Sequence, residues 1–574
     1  MSIGQKIDIT LPNYGTIRGT VDTKVKVAIF RNVPYAHVPE RWRVSVKPQP
    51  WTGVRDATVQ GPVCPQGPTT YQLSKIVPEE YLQVGTNPKY EFGVDQSEHD
   101  SLNMNIYVPL SVLQDDGPGP VPVMVWIHGG AFRNGANCVP LYDARNFVAR
   151  SVELNQPVII VAPNYRLAVF GFLASKELQQ DMDEYVRQSP TPIPDYDQSV
   201  GNWGLQDQRL AFEWVRENIG ALGGNNRNVT AWGESAGSFS IHFHMLIPAH
   251  YGLFDHAILQ SGVVGTMSTK TVELEGQAVF DKLLAMFDIP ADLDALEKVK
   301  RLRAVPMDDL TNAAETAFPM MAYGCHHDGG KLIPSTMPTQ ALSKSPSSYD
   351  PSIKSVMIGS TRDEGTAFAL LFGEAKVSGY PAIIQQFVPI PDLVPLFKSA
   401  YGIPQTDSEV RKLLDEFIGD MIFQYPIEQV TTTLLDLQKI RGGPQHFQLL
   451  RYHYNVALNR IQELFPSLNA MHAGELPILF GPPLSEQVLT ESEMQLSREI
   501  QRHWIAFAYQ KPITVDGSGQ VADMDKDEAL VWTDDHRVEV GRGKRVSQEV
   551  QAFWDAMTKA KLQQVQQVLD RREQ

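Results

Sequence analysis

The sequence predicts an α/β fold built on one large, mostly parallel β-sheet, with a small antiparallel sheet at the amino terminus and a helical cap. Three observations carry this. Residues 121–127 and 157–162 are short, continuously apolar and bounded by turn residues, as strands buried on both faces are. Residues 205–219 set Leu210, Ala211, Trp214, Val215 and Ile219 on one helical face, so amphipathic helices alternate with the strands. Residues 7–31 instead alternate apolar and polar around Gly15 and Gly19, the pattern of half-buried antiparallel strands.

Residues 256–261 and 355–359 read as later strands of the same sheet. The stretch 176–200 is acidic and carries Pro190, Pro192 and Pro194, so it reads as an inserted loop, while 380–440 is mostly helical and forms the cap. In residues 547–572, Val550, Phe553, Trp554, Met557, Leu562, Val565 and Leu569 recur at helical spacing, which predicts a helix docked on the body. A length prior for 574 residues is about four domains, but no linker or low-complexity stretch divides the chain, so 1–574 reads as a single domain.

Composition narrows the partners. With a net charge of −16 and a pI near 5.4 the chain has no basic excess to neutralise phosphates, and nucleic acid is not an expected partner. Cys64, Cys138 and Cys325 are too few and too scattered for a disulfide framework or a zinc site, and suit a reducing compartment. The first eight residues have no apolar signal core, and no run of about 18 apolar residues is available to span a bilayer. The expectation is a soluble, cytoplasmic protein with no membrane insertion. Asn228-Val229-Thr230 spells a glycosylation sequon, incidental without a secretory signal.

The chemistry centres on Gly233-Glu234-Ser235-Ala236-Gly237, a G-x-S-x-G motif. Strand formers at 228–232 precede it and a helix-compatible run at 238–246 follows. A nucleophile elbow needs that setting, because its serine sits on a sharp turn with Oγ exposed and glycines let neighbouring backbone pass close by. The same turn brings the amide of Ala236 to a helix N-terminus, where it can stabilise an oxyanion. A serine hydroxyl needs a histidine to take its proton and a carboxylate to orient that histidine. In α/β-hydrolases these follow in the order Ser, Asp or Glu, His. The strand 355–359 ends in a loop carrying Asp363 and Glu364, and spacing alone does not choose between them.

Five histidines follow: His446, His453, His472, His503 and His536. His503 falls in a helical run and His453 in a strand-like one, whereas His472 lies in a loop bracketed by Gly474 and Pro477 and is preferred as the base. Residues 126–132, Trp-Ile-His-Gly-Gly-Ala-Phe, form an H-G-G loop directly after a strand, the expected second source of oxyanion amides.

With these residues in view the chain resembles the type-B carboxylesterase and cholinesterase family of α/β-hydrolases over nearly its whole length. The matching blocks include Val33-Pro34-Tyr35-Ala36, Gly61-Pro62-Val63-Cys64-Pro65-Gln66, Leu102-Asn103-Met104-Asn105-Ile106-Tyr107-Val108-Pro109 and Asn164-Tyr165-Arg166-Leu167-Ala168-Val169-Phe170-Gly171-Phe172. Others are Gly201-Asn202-Trp203-Gly204-Leu205-Gln206-Asp207-Gln208-Arg209, Leu259-Gln260-Ser261-Gly262 and Glu475-Leu476-Pro477-Ile478-Leu479-Phe480-Gly481. The resemblance implies Glu364 as the acid and His472 as the base for Ser235. It also implies an oxyanion hole from Gly130, Ala131 and Ala236, with Ala131 in place of the usual third glycine. The family commonly pairs the cysteine at position 64 with one in the next block, which is Ser101 here. Cholinesterases carry a choline-binding Trp before that block, and residues 65–100 contain none. Ala367 and Phe368 occupy positions where cholinesterases have two gorge aromatics. Choline esters are therefore not the expected dedicated substrates.

The expectation that follows is a serine carboxylesterase acting on a small-molecule ester, with no metal and no organic cofactor. Its alternatives are an acyltransferase or pathway-specific esterase or lactonase using the same residues, and a non-catalytic binding relative. Glu234 is read either as facing a cationic substrate group or, preferably, as a structural group, with Ser261 in the same polar network. Phe318, Met320, Met321 and Tyr323 read as acyl-pocket wall or as ordinary core, and Phe368 as a pocket residue. His242 and His244 are two apart on a helix and read as structural. Cys325-His326-His327-Asp328 lacks metal-ligand spacing and reads as a family loop.

Overall fold

The computed structural model describes residues 5–570 except 68–88, 90, 115–116, 266–268, 335–338, 371–374, 484–487, 516–527 and 544–545. The first four residues of the amino-terminal reading therefore lie outside the described residues.

Among the described residues, one sheet of 13 strands runs through the molecule. β1 (Lys6–Thr10), β2 (Thr16–Asp22) and β3 (Val27–Pro34) pair antiparallel, and the short β4 (Val54–Asp56) lies parallel to β2. Rather than standing apart, these opening strands continue antiparallel through β5 (Asn103–Pro109) onto β7 (Ile159–Pro163). The central strands are all parallel: β7, β6 (Val121–Ile127), β8 (Gly224–Glu234), β9 (His256–Gln260), β12 (Ser355–Thr361), β13 (Gln448–Tyr454) and β14 (Ala529–Trp532). β15 (Val538–Gly541) closes the far edge antiparallel. β10 (Thr269–Thr271) and β11 (Cys325–His327) form a separate parallel pair. Every residue of β6, β7, β9 and β12 is buried, which is why these strands read as unbroken apolar runs, whereas the edge strand β1 alternates with solvent.

The helix Trp203–Asn218 covers the predicted amphipathic stretch, and Ala236–Leu246, which follows β8, is buried on every side. Residues 176–200 depart from the expected loop. Lys176–Gln188 is a helix, capped by the Ser175 hydroxyl accepting from the amide of Leu178 at 3.0 Å, and it buries Leu178, Asp181 and Met182. Its acidic content misled because Asp181 is not solvated but pairs with Arg43 and with Arg303, the latter at 2.7 Å. Only the proline-bearing remainder is irregular, ending in a 3-10 turn at Asp195–Gln198.

Residues 380–440 form the helices Tyr380–Phe387, Val394–Tyr401, Asp407–Gly419 and Tyr425–Ile440, the last two joined by a π-helical turn, Asp420–Gln424. The carboxy-terminal helix Gln548–Asp570 docks on them: Phe553 meets Phe397 and Tyr401, and the Trp554 indole donates to the Tyr401 hydroxyl at 2.6 Å. The side chains of Leu562, Val565 and Leu569 lie outside the described residues. Cys64, Cys138 and Cys325 are buried, and none of them forms a disulfide among the described residues. No helix among the described residues is long and apolar enough to cross a membrane.

A buried ion pair joins the loop after β7 to the helix Trp203–Asn218. Arg166 donates from Nη2 and Nε to Asp207 at 2.7 and 2.8 Å, and Asp207 also accepts from the Ser45 hydroxyl at 2.6 Å and the Arg166 amide at 3.0 Å. Removing one partner of such a pair strands the other charge in the core, which typically costs about 3–5 kcal/mol. Asp207→Ala should therefore lower the urea midpoint of unfolding by a corresponding amount. An unchanged midpoint would show that the guanidinium finds other acceptors.

Candidate active site

Because β6, β8, β12 and β13 run parallel, the loops at their carboxyl ends share one edge of the sheet, where ligands of open α/β sheets bind. The H-G-G loop follows β6, Ser235 follows β8, Glu364 follows β12 and His472 lies beyond β13.

Ser235 has φ 53° and ψ −124°, so β8 turns abruptly into the helix Ala236–Leu246. Its amide donates to the Gln260 carbonyl and its own carbonyl accepts from the Phe239 amide, both at 2.9 Å. A side chain at position 237 is impossible without rearrangement, since a Cβ there would stand 1.9 Å from the Ile127 carbonyl oxygen. A Cβ on Gly129 would come within 3.0 Å of the Ser235 Cβ and 2.7 Å of a Glu234 oxygen, so the H-G-G loop lies directly against the elbow.

His472 and Glu364 are joined by a 2.6 Å hydrogen bond between Nδ1 and Oε2. The acceptor is a carboxylate, so Nδ1 carries the proton and Nε2 points to the other side. There Nε2 lies 3.0 Å from Oε1 of Glu234. The second Glu364 oxygen accepts from the Thr361 amide at 2.8 Å. Asp363, the other carboxylate of its loop, has a different task. Its amide donates to the Ala470 carbonyl at 2.9 Å and its Oδ2 accepts from the Ala470 amide at 3.2 Å, forming a bridge to Met471 that zips the two loops together. Gly365 must be glycine because the Asp415 carbonyl oxygen would lie 1.8 Å from a Cβ.

Burial disfavours a charged imidazole, but Glu234 and Glu364, with Glu475 behind them, outweigh it and hold His472 up to about 9. Burial likewise pushes Glu234 up to about 8, against the pull of His472, and Glu475 up to about 7. His472 is thus poised to hold a proton in the resting site.

Of the oxyanion donors the sequence names, Ala236 opens a helix, where a first-turn amide has no intrahelical acceptor. Gly130, Ala131 and Phe132 all have left-handed backbones, with φ of 106°, 56° and 58°. Two of these are not glycine, so the loop is held by its surroundings. The Tyr165 hydroxyl donates to the His128 carbonyl at 2.8 Å while its ring stacks on His128, Gln66 bonds both the amide and the carbonyl of Gly135, and the Ala168 amide donates to the Phe132 carbonyl at 2.7 Å. Burial lowers His128 to about 4, so it is neutral at pH 7.

The remaining residues divide. Phe368 lies against the His472 ring, with centroids 5.2 Å apart. Phe318 contacts Tyr323 and Lys282 instead, Met321 is half-buried, and the Met320 side chain lies outside the described residues. Ser261 has a left-handed backbone and a buried hydroxyl with no hydrogen-bond partner among the described residues. His242 bonds Tyr349 and the Val264 amide, while His244 bonds His250 and Gln208, so the two serve separate core networks. Asp328 accepts from Ser199 and from the Leu332 and Ile333 amides, anchoring its loop.

Two residues were missed. Phe423 packs on His472 at 4.4 Å from within the π-helical turn, which the sequence DMIFQYP does not announce. Glu475 is buried three residues beyond His472, accepting from the Gln260 side-chain amide at 2.9 Å, and its place beside that histidine in the sequence was the available signal.

Residues 5–554 match the model of the carboxylesterase family. A para-nitrobenzyl esterase of Bacillus subtilis (strain 168) is 31% identical over 514 residues, covering 87% of this chain and 89% of the relative. A liver carboxylesterase of Sus scrofa is 27% identical over 92% of this chain and 88% of its own length, and a cholinesterase of Mus musculus 28% over 84% and 75%. A mostly parallel sheet, a G-x-S-x-G elbow at the end of a central strand and a family match spanning almost all of the sequence together establish that the chain belongs to the carboxylesterase family, with its α/β-hydrolase fold.

Proposed function

We propose that this carboxylic ester hydrolase acts through an acyl-enzyme on Ser235, with His472 as general base and acid and Glu364 as the carboxylate that orients it. The observation that carries the reading is the 2.6 Å bond from His472 Nδ1 to a Glu364 already tied to the Thr361 amide, on the same sheet edge as the elbow. In this mechanism Nε2 leaves Glu234 for the neighbouring Ser235, accepts its proton, and Oγ attacks the ester carbonyl. The amides of Gly130, Ala131 and Ala236 receive the oxyanion. His472 then protonates the departing alcohol, and the same nitrogen activates the water that releases the acid. Phe368 forms part of the pocket wall beside the base, and Phe318 and Met321 the acyl side. Glu234 sets the resting proton on His472 rather than contacting substrate. Cys64, Cys138 and Cys325, buried and in no disulfide among the described residues, with Ser101 where the family resemblance implies a cysteine, support a reducing compartment as the setting.

A fluorophosphonate probe should label the wild type and not Ser235→Ala, and that variant should lose about 10⁴-fold or more in kcat on a p-nitrophenyl ester. Labelling or turnover that survives the substitution would refute the assignment. Product analysis with an added alcohol separates hydrolysis from acyl transfer: free acid as the main product supports the hydrolase reading.

The pH dependence follows from the carboxylates. A general base must be neutral, and a raised His472 is cationic up to higher pH, so activity should fall on the acid side earlier than an ordinary histidine would dictate. Glu234→Gln removes one of the groups that raise it, and should move the acid limb of kcat/KM to lower pH by about one unit or more. A limb that stays in place would show that Glu234 does not govern the proton.

A further inference from the structure

The oxyanion loop carries one side chain that leaves the site altogether. Arg133, three residues beyond Gly130 and closing its turn by donating from its amide to the Gly130 carbonyl at 2.9 Å, turns its guanidinium toward the carboxyl end of the helix Met307–Ala317. Nε and Nη2 donate to Glu315 Oε2 at 3.0 and 2.8 Å, Nη2 also donates to the Glu315 carbonyl, and Nη1 donates to the Phe318 carbonyl at 3.0 Å. These carbonyls end a helix, where they lack intrahelical donors and where a cation opposes the dipole. Arg133 is nearly buried, and its side chain and that of Glu315 are 11% and 18% exposed, so the pair is shielded from solvent screening.

The contact is built from both sides. Gly67 packs on Glu315 so closely that a Cβ would stand 2.4 Å from its Cγ. Beyond the helix, Lys282 donates to the Ala317 carbonyl and lies 5.1 Å over the Phe318 ring, and the Tyr323 hydroxyl donates back to the Ala314 carbonyl at 3.0 Å. The segment 315–323 is therefore a braced wall, and Arg133 fastens it to the loop that includes Gly130 and Ala131. A lysine could not reproduce this, since the fork of N–H groups is what reaches a carboxylate and two carbonyls at once.

We infer that Arg133 is a positioning residue that sets the distance between the oxyanion amides and the acyl-side wall at Phe318 and Met321, and so sets acyl-chain preference together with the turnover rate. The inference rests on the oxyanion and acyl-wall assignments proposed above. With the fork gone, the left-handed Ala131-Phe132 turn and the wall relax independently. Oxyanion stabilisation weakens, and the space available to the acyl chain grows.

The test compares wild type, Arg133→Met, Arg133→Lys and Glu315→Gln, each titrated with a fluorophosphonate so that rates refer to competent sites. Two readouts are used: kcat and KM for p-nitrophenyl acetate, butyrate and octanoate, and the inhibition constant of an aryl trifluoromethyl ketone relative to KM. Arg133→Met is expected to lose about tenfold in kcat on acetate with little change in KM, to shift the octanoate-to-acetate ratio of kcat/KM upward several-fold, and to bind the ketone correspondingly less well. Arg133→Lys should recover little of this. Glu315→Gln, which keeps an acceptor and the helix carbonyls, should fall between Arg133→Met and wild type and serves if Arg133→Met does not fold. A lower melting temperature with unchanged chain-length ratio and unchanged ketone-to-KM ratio, in whichever of these variants folds, overturns the inference. If that happens while Ser235→Ala is inactive, only the clamp is wrong. If Ser235→Ala stays active, the underlying assignment has failed instead.

Discussion

A serine at φ 53° and ψ −124° occupies a backbone region that L-residues enter only when packing leaves no alternative, at a cost of about 1–3 kcal/mol. Here the surroundings leave none. β8 arrives between β6 and β9, wholly buried over its last six residues, and the helix it feeds is buried throughout. Gln260 holds the Ser235 amide from the neighbouring strand, while Gly237 and Gly262 let the Ile127 and Ser235 carbonyls approach closer than any Cβ would permit. The strain is stored at the elbow and sustained by hydrogen bonding and burial in the centre of the sheet. Ser235 is thereby held at the carboxyl end of β8, where the strand turns into its helix.

The electrostatics depend on the same architecture. Three largely buried glutamates lie around one imidazole, an arrangement that loses solvation for every charge it contains. Glu364 and Glu475 each have a specific donor, the Thr361 amide and the Gln260 side chain respectively, and both donors come from strands whose register is fixed by parallel pairing. Phe423 and Phe368 close the flanks of His472 and keep the field between carboxylate and imidazole in a medium of low polarity. The π-helical turn that delivers Phe423 also delivers Gln424, whose amide donates to the Thr361 carbonyl at 2.8 Å. One irregularity in a helix thus supports both the ring of His472 and the strand end beneath Glu364.

What could be read from the sequence was what local pattern encodes. Buried parallel strands appear as apolar runs, and the elbow appears as glycines flanking a serine between strand and helix. Asp363 and Glu364 could not be separated by pattern because both sit on one tight loop. Their roles diverge only through contacts with residues 470–472, more than a hundred positions away. The helix at 176–188 was hidden because Asp181, whose charge suggested solvent, meets Arg43 and Arg303 from distant segments. Phe423 was hidden for the same reason: its partner is a histidine some fifty residues on, and a π-helical turn has no compositional mark. The antiparallel opening strands were visible as such, but their continuation into the main sheet is a matter of long-range pairing with β5.

The bridge between Asp363 and Met471 also orders events in time. Ser235 and its strained turn belong to β8 and its neighbours β6 and β9, all emerging early in synthesis, whereas the imidazole reaches Glu364 only after β13 has paired with β12 and residues 470–472 have zipped onto the acid loop. Contacts across such sequence distances form late, because loop closure must precede them. If Ser235 and His472 act as proposed, the elbow's strands are complete in the chain well before the residues that bring the imidazole to Glu364. Hydrolytic competence would then wait on the longest-range contacts of the fold.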